Sequence, residues 1–340
     1  MKPYRILALE TSCDETAAAV VENGRRIVSN AVFSQVDVHA LYGGVVPEIA
    51  SRAHVDACDR MLDRALEEAG LALKEIDALA VTCGPGLVGA LLIGVNCMKG
   101  LSFATGKPLI AVNHIEGHVS ANFLSHPDLE PPFVCLVVSG GHSHLVTVND
   151  YGRYTLLGQT ADDAAGEAFD KGARVLGLAY PGGPHLSELA ENGDPDYLKL
   201  PRPKAEGRYD FSFSGLKTAF VNACHNLEQK GEPLPKADLA ASYQQAIVDC
   251  LCEKTRLAVR DSGMKTLCLA GGVSATKRLR ERMTELADEL HVTLCMPDIC
   301  LCTDNAAMIA SAAYYRREQA APLSLNAMPS LRLAGSEDRG

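Results

Sequence analysis

Ile6-Leu7-Ala8-Leu9-Glu10-Thr11-Ser12-Cys13-Asp14-Glu15 is an apolar strand running into a polar turn, and residues 16–21 resume the strand pattern. The same order returns at Val134-Cys135-Leu136-Val137-Val138-Ser139-Gly140-Gly141-His142-Ser143, again with a second strand after it. Each set gains a third strand, at 26–35 and at 154–159. One strand, turn and strand is common. Its repetition at the head of each half predicts a duplicated hairpin and two related domains facing a cleft.

Outward from the first hairpin, helical periodicity over 47–69 puts Ile49, Ala53, Ala57, Met61, Ala65 and Ala69 on one side, with Pro47 at the start. A helix over 87–105 lies between strands at 76–82 and 109–112. Strands alternating with helices predict a layered α/β fold. Residues 125–132 have the composition of a connection. The second half predicts helices over 163–176, 214–226 and 239–261, a strand over 266–270, and a turn at Pro181-Gly182-Gly183-Pro184 followed by an irregular span to Tyr209. A last helix over 304–317 is expected to be capped by Thr303 or Asp304, and the tail beyond Ala320 to be poorly ordered.

A chain of 340 residues favours two domains. With 47% hydrophobic residues, and no run of about 18 apolar ones, it reads as globular, without a membrane span. The apolar segment near the N-terminus is too short for a signal peptide, so a cytoplasmic location is expected. Twelve cysteines include no CxxC pair, and Cys83, Cys135, Cys268 and Cys295 sit in apolar stretches, as small buried hydrophobes do in a reducing compartment. A net charge of −10 argues against nucleic-acid binding by the surface as a whole, though not by a local basic patch.

Asn113-His114-Ile115-Glu116-Gly117-His118 opens a helix and points two histidines the same way, which can hold a metal. Thr303-Asp304-Asn305 offers a carboxylate. A zinc protease of the HExxH kind needs Glu next to the first His; here Ile115 stands there, and Glu116 lies about 200° around the helix from His114. A pair of helix histidines satisfied by hydrogen bonds is the plainer alternative. His142 and His144, alternate residues of one strand, are a weaker ligand candidate.

Glycine turns follow strands at Gly84-Pro85-Gly86, Ser139-Gly140-Gly141 and Gly271-Gly272. Their amides could wrap phosphate oxygens, or they could simply be turns. None matches a P-loop or a GxGxxG site. Asp14 and Glu15 could act on a water or a proton, or be exposed turn residues. Tyr197, Lys199, Arg202, Lys204, Arg208, Tyr209, Phe211, Phe213 and Lys217 could stack and neutralise single-stranded RNA; the alternative is a solvated loop with buried aromatics. Lys277, Arg278, Arg280 and Arg282 form a second basic cluster on a helix.

Taken in order, residues 9–16, Gly84-Pro85-Gly86, 113–118, 138–142, Phe169-Asp170-Lys171, 180–184, Phe211-Ser212-Phe213-Ser214-Gly215-Leu216-Lys217 and 302–308 resemble the TsaD family of tRNA threonylcarbamoyl transferases over nearly the whole chain. Its members were formerly labelled O-sialoglycoprotein endopeptidases. The resemblance implies an actin-like fold, shared with sugar kinases and heat-shock chaperones, of two ribonuclease-H-like halves around a nucleotide cleft. It divides this chain into 1–130, 131–302 and a 321–340 tail, with the helix 303–318 packing back on the first half. It implies transfer of threonylcarbamoyl from threonylcarbamoyl-AMP to the exocyclic amine of the adenosine just 3′ of the anticodon, in tRNAs reading codons that begin with A.

By the same resemblance His114, His118 and Asp304 match metal ligands for one Fe2+, or zinc, per subunit, with both histidines catalytic. Val137, Val138, Ser139, Gly140, Gly141, Asp170 and Gly183 match the nucleotide site. Thr276 and Ser187 depart from the family's frequent Asn and occasional Asp there. A threonine keeps one hydroxyl but loses the amide's paired donor and acceptor. Glu15 is the candidate proton acceptor. The implied partners are tRNA, the TsaB paralogue and the small ATPase TsaE, with no membrane. The rival readings are an ATPase or sugar kinase on the same fold, a scaffold without catalysis, and a metal-dependent peptidase.

Overall fold

The structure, a computed structural model, describes residues 2–231 and 233–333. It divides into two compact units, one from the described parts of Met1–Pro131, Asp150–Tyr154 and Pro297–Gly340, the other from Pro132–Asn149 and Thr155–Met296.

The first unit is built on five strands, β1 (Arg5–Glu10), β2 (Glu15–Glu22), β3 (Arg26–Ser34), β4 (Ala78–Gly84) and β5 (Leu109–Asn113), in the order β3-β2-β1-β4-β5. β1, β2 and β3 form an antiparallel meander, while β4 and β5 run parallel to β1. Side chains alternate across the pleat, so the two faces of β1 bury different residues. Leu7 and Leu9 pack with Met61 and Ala65 of the helix Pro47–Ala69 and with Val95 and Met98 of the helix Val88–Thr105. Ile6 and Ala8 pack with Ala121 of the helix His114–Ser125 and with Met308 and Ile309 of the helix Ala306–Tyr315. Covering both faces explains why these strands read as continuous apolar runs.

The second unit repeats the plan with β6 (Phe133–Val138), β7 (Ser143–Asp150), β8 (Arg153–Gln159), β9 (Thr266–Ala270) and β10 (Thr293–Cys295), in the order β10-β9-β6-β7-β8. β6 pairs antiparallel with β7 and parallel with β9, which pairs parallel with β10. Substituting β6 to β10 for β1 to β5 turns one strand order into the other, so the repeat of the two hairpins extends to whole sheets.

Four local expectations need correction. On Pro47–Ala69 the buried face is turned toward His54, Cys58 and Leu62, leaving Ile49 and Ala53 half-buried, because His54 bonds inward to Thr16 Oγ1 (2.8 Å) and Cys13 O (2.9 Å). Pro181 to Pro184 is no turn into irregular chain; it starts the helix Gly182–Ala190. The last helix is capped by Asn305, whose side chain accepts from Met308 N–H at 3.0 Å. The tail over 321–333 packs Leu325 and Leu331 on the first unit's core and buries Leu333; residues 334–340 lie outside the described ones. Val88–Thr105 is long and apolar enough to cross a membrane by length and composition, and it lies with Ala90, Leu91, Gly94, Val95 and Met98 buried in the fold.

Candidate functional site

β5 ends at Asn113, whose side-chain oxygen accepts from Ile115 N–H (2.9 Å) and starts the helix. His114 is therefore its first residue and His118 stands one turn on, with ring centroids 4.6 Å apart. Gly117 lets the final helix approach: a Cβ there would lie 2.6 Å from Ile309 Cδ1. Because Asn305 serves as cap, the Asp304 carboxylate can turn to the histidines, its Oδ1 3.4 Å from His114 Nε2 and 3.3 Å from His118 Nε2. One ligand atom from each of the three lies within 4.8 Å of the others, the one such group of histidine, cysteine or carboxylate ligands among the described residues.

The charges are strongly coupled. Burial opposes ionisation of Asp304, but His114 and then His118 outweigh it and hold the carboxyl far below its ordinary range. Burial disfavours the His114 cation, yet Asp304 and Glu10 hold its pKa well above the usual imidazole value. Burial, then the His114 charge, keep His118 low. Both ring nitrogens of His118 are buried without a hydrogen-bond partner. Such orphaned atoms are costly and call for a ligand. Two imidazoles and a carboxylate suit Fe2+ or Zn2+. Glu15 is pushed up to about 9 by burial, then by Asp304 and Asp14. It therefore holds its proton at neutral pH when Asp304 is uncompensated.

In the second unit, Val137 and Val138 end β6, and Ser139 N–H donates to His142 O (2.8 Å) to close the turn. Gly140 and Gly141 are exposed. The helix Ala165–Val175 abuts this turn through Gly166, where a Cβ would lie 2.5 Å from Ser139 O. Asp170, in the middle of that helix, accepts from Gly182 N–H (2.9 Å) and Gly183 N–H (3.1 Å) through Oδ1, which ties the start of the helix Gly182–Ala190 to it. Thr276 precedes the helix Lys277–Leu290, after the Gly271 turn that packs on Val138 O. These pieces gather at the carboxyl ends of the parallel strands β6 and β9, where open α/β sheets bind ligands. Ser187 lines a cleft of about 310 Å³ with Gln244, Gln245, Lys277, Arg278 and Glu281. Ser187 Oγ and Gln244 Oε1 are buried there without hydrogen-bond partners.

Other candidates have structural employment. At the Gly84-Pro85-Gly86 turn the chain's own tail takes the polar groups, with Gly86 N–H donating to Pro329 O (3.1 Å) and Met328 N–H to Cys83 O (2.7 Å). In the basic and aromatic span, Arg202 pairs with Asp249 (2.6 Å), Arg208 and Tyr209 with Asp261 (2.8 and 2.6 Å), and Lys217 with Asp163 (3.5 Å). Phe211 and Phe213 are buried, so no ring of theirs is offered to a base, while Tyr197, Lys199 and Lys204 of the same span are exposed. Lys277, Arg278 and Arg282 pair with Glu191, Glu281 and Glu285. Burial holds His144 down to about 4, and with His142 it joins no group of three ligands among the described residues. Sequence reasoning missed Glu10 and Gln244: the first hides in an apolar strand's end, the second in a helix face.

Two duplicated sheets of this order, one carrying a His-His-Asp set and the other exposed strand-end turns, define an enzyme of the actin-like ATPase and sugar-kinase fold. Solved structures share the fold: HypF of T. kodakarensis aligns with 93% of this chain and 48% of its own at TM-score 0.66 and 14% identity. Component A of the Acidaminococcus fermentans (R)-2-hydroxyglutaryl-CoA dehydratase aligns over 93% and 100% at TM-score 0.56 and 15% identity. The TsaD family profile, described as tRNA N6-adenosine threonylcarbamoyltransferase, matches residues 26–311. The tRNA N6-adenosine threonylcarbamoyltransferase of Clostridium perfringens is 52% identical over 331 residues, 96% of this chain and 98% of the relative. The chain belongs to the TsaD family of tRNA N6-adenosine threonylcarbamoyltransferases.

Proposed function

We propose that the threonylcarbamoyl donor is threonylcarbamoyl-AMP, that the acceptor is the adenosine just 3′ of the anticodon in tRNAs reading codons that begin with A, and that the transfer is metal-assisted. The observation that carries the metal reading is His118, buried with neither ring nitrogen hydrogen-bonded, beside Asp304 and His114. His114, His118 and Asp304 would hold Fe2+ or Zn2+, which when bound supplies Lewis acidity toward a carbonyl or phosphoryl oxygen. In the second unit the amides of Gly140 and Gly141 bind the adenylate phosphate and stabilise it as leaving group, with Val137, Val138, Ser139, Asp170, Gly183, Ser187 and Thr276 shaping the nucleotide site. The adenosine N6 attacks the carbamoyl carbon, the carbon–oxygen bond to phosphate breaks, and AMP leaves. Glu15 takes the amine proton once a cation compensates Asp304, because two neighbouring carboxylates contribute to holding it protonated.

The resemblance adds TsaB and TsaE as partners and the cytoplasm as location. The test is mass analysis of nucleosides from unmodified tRNA incubated with threonylcarbamoyl-AMP, both partners and either this protein or its His118→Ala variant, alongside metal content. Modified adenosine and bound metal with the parent protein only are expected. Full modification by a metal-free variant would remove the metal reading, and free ATP consumption without tRNA modification would favour the ATPase alternative.

A further inference from the structure

Glu10, the last residue of β1, is fully buried. A carboxylate so placed is tolerated only when donors surround it. Three do: Ser12 N–H to Oε1 (2.5 Å), Thr82 Oγ1 to Oε2 (2.6 Å) and His114 Nδ1 beside the same Oε2 (3.2 Å). Ser12 Oγ also stands 3.1 Å from His114 Nδ1. A hydroxyl can donate or accept and so leaves the ring's proton undecided, whereas an ionised carboxylate only accepts.

We infer that Glu10 is a positioning residue for the metal centre. It accepts the proton on His114 Nδ1, fixes the ring's tautomer and rotation, and leaves the Nε2 lone pair for the ion. Thr82 and Ser12 in turn hold Glu10. A ligating histidine's other nitrogen is generally anchored in this way, and loss of the anchor weakens metal binding. His118, whose Nδ1 has no partner, lacks such an anchor, so the orientation of the pair rests on Glu10. The inference rests on the metal reading above. It assigns no proton transfer to Glu10.

The test loads the full-length protein with Zn2+ and compares it with Glu10→Gln and Thr82→Val. A competing chromophoric chelator reads zinc affinity, and proton NMR reads the exchange-protected His114 Nδ1–H. Glu10→Gln should bind zinc about 10- to 100-fold more weakly, with the Nδ1–H resonance shifted upfield or lost. Thr82→Val, which removes one donor to Oε2 and leaves His114 untouched, should show a smaller change in both, and it carries the test if Glu10→Gln does not fold. Zinc affinity and resonance unchanged in the folded variants overturn the inference while the metal reading stands. A parent protein that takes no zinc or iron removes the metal reading, and this role with it.

Discussion

Buried Glu116 and half-buried Arg316 form an ion pair between the helix that carries both histidines and the end of the helix that follows Asp304. Glu116 is the acid that faces away from the proteolytic position, and here it is spent on holding two helices together. Arg316→Ala would leave Glu116 in the interior without its partner, where it keeps its proton to still higher pH, and the loss grows toward about 3–5 kcal/mol as the pH rises to where the paired carboxylate would be ionised. Burial lifts Glu116 to about 7 even against its arginine. A carboxyl whose folded pKa lies above its unfolded value favours folding at low pH and loses that contribution as pH rises. The deficit of Arg316→Ala should therefore grow from pH 6 to pH 8. Urea unfolding at the two pH values measures it, and an equal deficit at both would contradict the assignment to Glu116.

Gly117→Ala tests the close approach of the same two helices. The new methyl would meet Ile309 Cδ1 at 2.6 Å, overpacking that costs about 1–3 kcal/mol and moves Asp304 relative to the histidines. Ile309→Val removes that carbon. Adding it to Gly117→Ala should restore part of the thermal midpoint and of the metal affinity. If the double variant is worse than either single one, the clash is not the cause.

Much of this arrangement was legible beforehand because it is local. Strand patterns flanked by turns, and two histidines at helical spacing, need no tertiary knowledge. Asp304 could be offered as a carboxylate, but its place beside His114 depends on the final helix packing over Gly117, which no spacing encodes. The basic span was ambiguous for the same reason: Asp249 and Asp261, which occupy Arg202 and Arg208, lie on a helix more than 40 residues further on. The helix Gly182–Ala190 was hidden because its glycines and prolines signal a turn, while its start is stabilised by Asp170 from another helix. Glu10 gave no signal, since a carboxylate at the end of an apolar strand looks like the start of a loop.

The neutral form of Glu15 sets a pH dependence for protein stripped of metal. With its carboxyl at about 9 in the fold, against 4.5 as the ordinary value, folding at pH 7 requires uptake of a proton. The contribution is complete below the unfolded pKa and is lost progressively as pH rises toward 9. The loss reaches about 3 kcal/mol by pH 7. Glu15→Gln should therefore raise the thermal midpoint of stripped protein at pH 7 to 8 and leave it nearly unchanged at pH 4.5. Added Zn2+ should narrow the difference by compensating Asp304. A variant that is less stable than the parent at pH 8 would show that Glu15 is ionised in the fold.

Asp170 offers a way to separate shape from contact at the nucleotide site. Its Oδ1 already accepts two amides at the start of Gly182–Ala190, so at the proposed nucleotide site Asp170 would act in part through the position of Gly183. Asp170→Ala removes a cap worth about 0.5–2 kcal/mol and frees both glycine amides. Asp170→Asn keeps an oxygen in place but discards the charge, and charge-assisted hydrogen bonds are roughly twice as strong as neutral ones. If Asp170 acts by holding the helix start, Asn should recover most of the stability and most of the AMP affinity lost with Ala. If it contacts the nucleotide through its charge, Asn should recover stability but not affinity. Thermal melts with and without AMP, joined to direct AMP titration, distinguish the two; the bonds to Gly182 and Gly183 favour the first.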